Sequence, residues 1–153
     1  MKRGRTSLMV MEQLAMLLVF ALAAAICLGV FVSADQTSRR IQDRDRAAEL
    51  CQNAAETLRH TGGDVPGALA QVNGSQPGYR DGFGYFISYG PDWSEFVPDG
   101  VRPAHYTLRA LELDSDVSGL GKAEVEVYRW QGGEMESLFR LETAWQEVSV
   151  HGA

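Results

Sequence analysis

The sequence predicts an α+β protein in which one long N-terminal helix packs on a four-stranded antiparallel β-meander. Three observations carry that expectation. The first sixty residues contain Gly4 and Gly29 but no proline, and are rich in helix formers. Thr61-Gly62-Gly63 then stops the run. Beyond Gly84 the apolar period shortens to that of strands separated by turn residues.

The helix reads in two parts. Leu14–Ala34 carries no charged residue and is almost wholly apolar. As a helix it would span about 31 Å, close to the hydrocarbon thickness of a bilayer. A secretory signal has a shorter apolar region, although Val32-Ser33-Ala34 would suit a cleavage site. Lys2, Arg3 and Arg5 precede the apolar run and should stay cytoplasmic, which places the C-terminal part outside. From Asp35 to His60 there is no Gly or Pro, and Ile41, Ala48, Cys51, Ala55 and Leu58 recur at helical spacings, marking the face expected to cover the sheet.

The next element is short. Asp64 is placed as an N-cap with Pro66 in the first turn, predicting a helix to about Val72. Residues 73–78 read as a loop. Four strands follow: Tyr85–Tyr89, a second around Tyr106, Leu108 and Ala110, a third with Ala123, Val125 and Val127 alternating against Glu124 and Glu126, and a fourth within Ser137–Val148. Gln131-Gly132-Gly133-Glu134 joins the last two as a tight hairpin. The organisation is thus a basic leader at 1–7, a transmembrane helix at 8–34, its extramembrane continuation at 35–63 and a small α+β domain at 64–153.

The net charge of −6 falls mostly after Ala34. An acidic domain repels phosphate backbones, which argues against nucleic acid as a partner. Cys27 and Cys51 would lie about 36 Å apart on one helix, whereas a disulfide needs Cα atoms within about 7 Å. The three histidines have no metal-ligand spacing, and no nucleophile-elbow or phosphate-loop motif is present, so nothing makes a positive case for an enzyme. Asp114, Asp116 and Ser118 sit at alternate positions ahead of Gly119, like the opening of a calcium loop. Val125 stands where such a loop closes with Glu, so an acidic hairpin loop with no cofactor is the plainer reading. Tyr79, Phe83, Tyr85, Phe86, Tyr89, Trp93 and Phe96 form an aromatic cluster, expected to serve as core.

Glu12 is the residue that asks for a reason. A carboxylate beside a membrane helix is costly unless it has a partner or reaches the headgroup zone. The run Arg5-Thr6-Ser7-Leu8-Met9-Val10-Met11-Glu12, followed by an apolar helix, resembles the N-terminus of the type IV pilin and pseudopilin family. The resemblance implies cleavage between Ser7 and Leu8 by a prepilin peptidase, N-methylation of Leu8, and Glu12 as the fifth mature residue. Ser7 replaces the family's usual Gly, Leu8 its usual Phe, and Met9 stands where Thr is common. In the family, packed anchors bury the new N-terminal ammonium, and Glu12 of a neighbour would neutralise it and set subunit register. The implied partners are the peptidase, other pilin or pseudopilin subunits, and the membrane. Two other readings stay open on the residues alone: a single-pass protein whose outer domain binds a ligand or cell-wall component, and a secreted domain released after Ala34.

Overall fold

The structure is a computed structural model describing residues 3–72, 74, 79–81, 84–95 and 104–146, with backbone alone for residues 3–8, 79 and 81. Two compact units divide the chain, Met1–Gln42 and Asp43–Ala153. Helix α1 runs from Arg3 to His60.

In the first unit, every described side chain from Met9 to Gln42 is exposed. Phe20 and Phe31 are each 74% exposed, so this stretch has no apolar partner among the described residues. Among the described residues its side-chain bonds lie after Val32. Thr37 Oγ1 donates to the Ser33 carbonyl at 2.9 Å, and Arg39 pairs with Asp35 at 3.0 Å one turn back.

In the second unit, the C-terminal part of α1 buries Ala47, Leu50, Cys51, Ala54, Ala55 and Leu58, so Cys51, Ala55 and Leu58 stand where the spacing put them. This corrects the expected stripe by a fraction of a turn. Ile41 is 55% exposed and Ala48 only half-buried, while Ala47 and Ala54 take the centre of the face. The helix ends where the glycines predict. The Gly63 amide donates to the Leu58 carbonyl at 2.9 Å, with Gly62 and Gly63 both in the left-handed region (φ 64° and 91°). That is a Schellman closure, which a side chain on either residue would strain. Helix α2, Val65–Val72, starts on Asp64, whose Oδ1 accepts from the Gly67 amide at 3.2 Å. Val65, Ala68 and Leu69 are buried.

The sheet is an antiparallel meander in the order β1-β2-β3-β4-β5. Its strands are β1 (Tyr79–Asp81), β2 (Gly84–Tyr89), β3 (Tyr106–Leu113), β4 (Leu120–Gln131) and β5 (Glu134–Gln146). The four expected strands are present. The three-residue β1, too short to show a period, adds one edge. Gly132 and Gly133 turn the β4–β5 hairpin with φ of 63° and 88°, as a two-residue loop of this kind requires. One face of the sheet carries Ile87, Leu108, Ala110, Ala123, Val125 and Val127 into the core with α1 and α2. Trp145 closes one end of that core. Its indole lies against Gly63 and Gly121, and a Cβ on either glycine would collide with the ring.

Candidate functional site

Ser7 and Leu8 lie within α1, and their side chains fall outside the described residues. Glu12 is exposed on the same helix, between Met11 and Leu14, which are 69% and 59% exposed. It forms no ion pair with any described residue. No other charge appears until Asp35. Among the described residues, α1 supplies one helix near the N-terminus long and apolar enough to cross a membrane. The helix face from Ile26 to Gln42 is notched by Gly29, Ser33, Ala34 and Ser38 at helical spacings.

The loop holding Asp114, Asp116 and Ser118 is closed on itself. Val117 N–H donates to Ser115 Oγ at 3.3 Å, and Leu120 N–H donates to the Val117 carbonyl at 3.2 Å. Asp114, Asp116 and Ser118 are all exposed. Among the described residues no group of three or more His, Cys, Asp or Glu side chains is gathered to hold a metal ion.

The densest polar chemistry lies elsewhere, on the sheet face turned away from α1. Glu126 of β4 is 0% exposed. Its Oε1 accepts from Ser137 Oγ at 2.5 Å and from Arg140 Nη2 at 3.1 Å; its Oε2 accepts from Tyr128 Oη at 2.5 Å and from Arg109 Nη2 at 3.1 Å. Arg109 and Arg140 also reach Glu124, at 2.8 Å and 3.4 Å. The guanidinium carbon of Arg109 stands 5.1 Å from the centre of the Tyr128 ring. Burial pushes the Glu126 carboxyl upward, but the hydrogen bonds from Ser137, Tyr128 and Arg140 and the Arg140 charge outweigh it, and it ends below its ordinary value. A carboxylate so fully hydrogen-bonded is a poor base, so the arrangement fixes strands rather than moving protons. The phenol of Tyr128 is raised, by burial first and then by its bond to Glu126.

A second network ties α1 to the sheet within the same unit. Asp43 accepts from Tyr106 Oη at 2.9 Å and from Arg129 Nη1 at 3.1 Å, and Arg129 also reaches Glu136. Burial, then the bond to Asp43, pushes Tyr106 up to about 12. Cys51 is pushed up to about 12, by burial first and then by the Glu126 charge, which makes it an inert thiol. The aromatic cluster is partly as expected. Trp93 stacks on Tyr106 with ring centres 3.7 Å apart and Tyr89 is buried, while Phe83, Phe96 and the Tyr79 side chain lie outside the described residues.

Neither network stood out in the sequence. Glu124 and Glu126 alternate with valines, and that pattern reads as a solvated face. The missed signal is the cross-strand register. Arg109, Glu126 and Arg140 are direct neighbours across β3, β4 and β5, and a charged row of alternating sign needs no solvent.

Comparisons of the chain with family models, with curated proteins and with solved structures return no match.

Proposed function

We propose that this chain is a pilin-like or pseudopilin subunit, anchored by the first part of α1 and carrying its α+β domain outside the cytoplasm. The observation that supports it best is Glu12: the single carboxylate on the apolar, exposed stretch of α1 before Asp35, eight residues downstream of a basic leader's Gly4 and five from the Ser7–Leu8 bond. An exposed apolar helix needs lipid or sister helices around it. A carboxylate among them needs a counter-charge. In this reading a prepilin peptidase cuts before Leu8, and the freed ammonium of one subunit pairs with Glu12 of the next. The leader's positive charges keep the N-terminus cytoplasmic. The chain's part is to be processed, anchored and assembled.

The test is Glu12→Ala. Replacing one side of a buried ion pair typically costs on the order of 3–5 kcal/mol, so assembly should fall sharply. Membrane insertion should hold or improve, because a charge leaves the apolar segment. Membrane level and recovery in a crosslinked subunit complex are measured side by side. A variant that inserts and assembles like the parent sinks the proposal and leaves a plain membrane anchor. Sequencing the mature N-terminus decides processing: Leu8 supports it, whereas Met1 or Asp35 in the presence of an active peptidase does not.

A further inference from the structure

Among its described residues, the second unit leaves three large apolar side chains exposed: Val117, Trp130 and Met135, at 58%, 40% and 59%. Val117 stands alone in the turn between β3 and β4. Trp130 and Met135 are direct cross-strand neighbours beside the Gly132-Gly133 turn. The tip there is uncovered, since a Cβ on Gly132 or Gly133 would meet nothing within 4 Å. Packing within the unit fixes which way the hairpin points. Near the start of β4, Gly121 lies under Trp145, which also lies against Gly63 just past the end of α1. Near the end of β4, Arg129 binds Asp43, where α1 enters the second unit. Strand β4 therefore runs back along this part of α1, and its turn projects past Asp43, at the end from which the chain arrives.

We infer that this hairpin tip rests in the headgroup layer of the bilayer that holds the anchor, with Trp130 and Met135 as the seated side chains. The tether is short. The apolar run ends at Ala34, nine positions before Asp43, a rise of about 14 Å in a helix. The tip continues about 10 Å beyond Arg129. A headgroup layer is about 5–8 Å deep on each side of the hydrocarbon, so tip and layer lie within reach of each other. Tryptophan favours that layer, because its ring is apolar over most of its surface and carries one donor for lipid oxygens. The flexible thioether of Met135 fills the space beside it. The attraction is not electrostatic. Glu134 is exposed at the tip, and Glu136 is held by Arg129, so neither draws the hairpin to anionic lipid. Zwitterionic headgroups are the fitting surface, and salt should not detach the tip. The contact needs α1 anchored in lipid, as proposed above, and is indifferent to cleavage before Leu8.

The experiment uses the full chain with Cys27→Ser as background, leaving the buried Cys51. One introduced cysteine is labelled with a nitrobenzoxadiazole maleimide. The chain is held at one copy per phosphatidylcholine nanodisc, with or without lipid carrying a nitroxide near the headgroup. Gln131→Cys sets the label at the tip and spares Trp130 and Met135. Ser118→Cys sets it beyond the other end of β4, about 36 Å away. Met16→Cys, inside the apolar run, reports the anchor. Nitroxide quenching at 131 should exceed that at 118 several-fold, and should not change at 1 M salt. Trp130→Ser with Met135→Ser should bring it down to the level of 118, whereas Trp130→Tyr, which keeps an amphipathic ring, should preserve it. The double-serine chain should melt in detergent as the parent does, because neither side chain belongs to the core. Quenching at 131 no greater than at 118, in discs where the label at 16 is quenched, overturns the inference and leaves the anchor standing. An unquenched label at 16 overturns both. The inference also fails if salt abolishes the quenching, if the double-serine chain keeps it or melts lower than the parent, or if it appears only in crowded vesicles, where a second copy would be what covers the tip.

Discussion

Strand β4 buries Val125, Glu126 and Val127 in succession, yet its two faces are closed by opposite means. The valines meet Leu108 and the α1 stripe, where removal from water is itself favourable. Glu126 meets two arginines, a phenol and a hydroxyl, where removal from water is costly and is offset only because every carboxylate lone pair in reach has a donor. The core face tolerates imperfect contacts, because dispersion and apolar burial are spread over many atoms. The ionic face does not, because each missing partner exposes a charge to an apolar surrounding. Burial alone therefore says little about what a position requires. The neighbours across the strands decide it.

The sharpest way to break this comparison is to remove the central carboxylate. Glu126→Ala strips Arg109 and Arg140 of their shared partner and leaves the Tyr128 and Ser137 hydroxyls facing no acceptor, so it should destabilise the domain by about 3–5 kcal/mol. The counterpart on the core face is Leu108→Ala, which leaves a cavity beside Val127 and should cost about 2–5 kcal/mol. The two are separated by salt. At 1 M salt screening shortens to about 3 Å, so ion pairs within the half-exposed Arg140 cluster weaken in the parent. The penalty of Glu126→Ala should therefore shrink, whereas that of Leu108→Ala should persist. Thermal or denaturant melts of the full chain in detergent at low and high salt measure both. Equal salt responses would mean that the outer face is held by packing after all.

Much of the apolar half of this architecture was legible in the sequence. The helix stop at Gly62-Gly63, the Asp64 cap, the Gly132-Gly133 hairpin and the valine alternation of β4 each have a local cause, and each stands where the residues put it. The helix stripe lies a fraction of a turn from its expected place, because alanines at 47, 48, 54 and 55 carry no directional signal, and because Asp43 joins the same face through Tyr106 and Arg129. The ionic face was not legible at all. It depends on which residues of three strands stand in one row. That row is set partly by a register shift between Val127 and Tyr128 that no local motif announces. Trp145 was missed for a related reason: its slot is made by Gly63 and Gly121, far apart in sequence and silent as apolar residues. In the candidate assembly segment the position of Glu12 was legible from charge alone, since one carboxylate in an apolar run is conspicuous.

Acid should distinguish the two faces by the smallest and most selective effect. Glu126 is held below its ordinary value when folded, so its charged state is favoured by the fold. Such a group contributes stability that is fully present above the unfolded carboxyl value, about 4.3, and is lost as pH falls through the lower folded value. The groups that face it are Arg109 on β3, Glu124 and Tyr128 on β4, and Ser137 and Arg140 on β5. The arginines keep their charge throughout the range, and Tyr128 is raised well away from it. Between pH 8 and pH 5 the stability difference between the parent and Glu126→Gln should therefore be flat. Below about pH 4 it should narrow, because the parent's carboxylate takes up a proton and comes to resemble the amide. Leu108→Ala has no titrating group, and its difference from the parent should stay constant to the same pH. Urea melts of the three chains across that range make the measurement. A parent-to-Gln difference that widens in acid would reverse the sign assigned to Glu126, and would mean that the fold favours its protonated form and that the outer face is an acid-stabilised one.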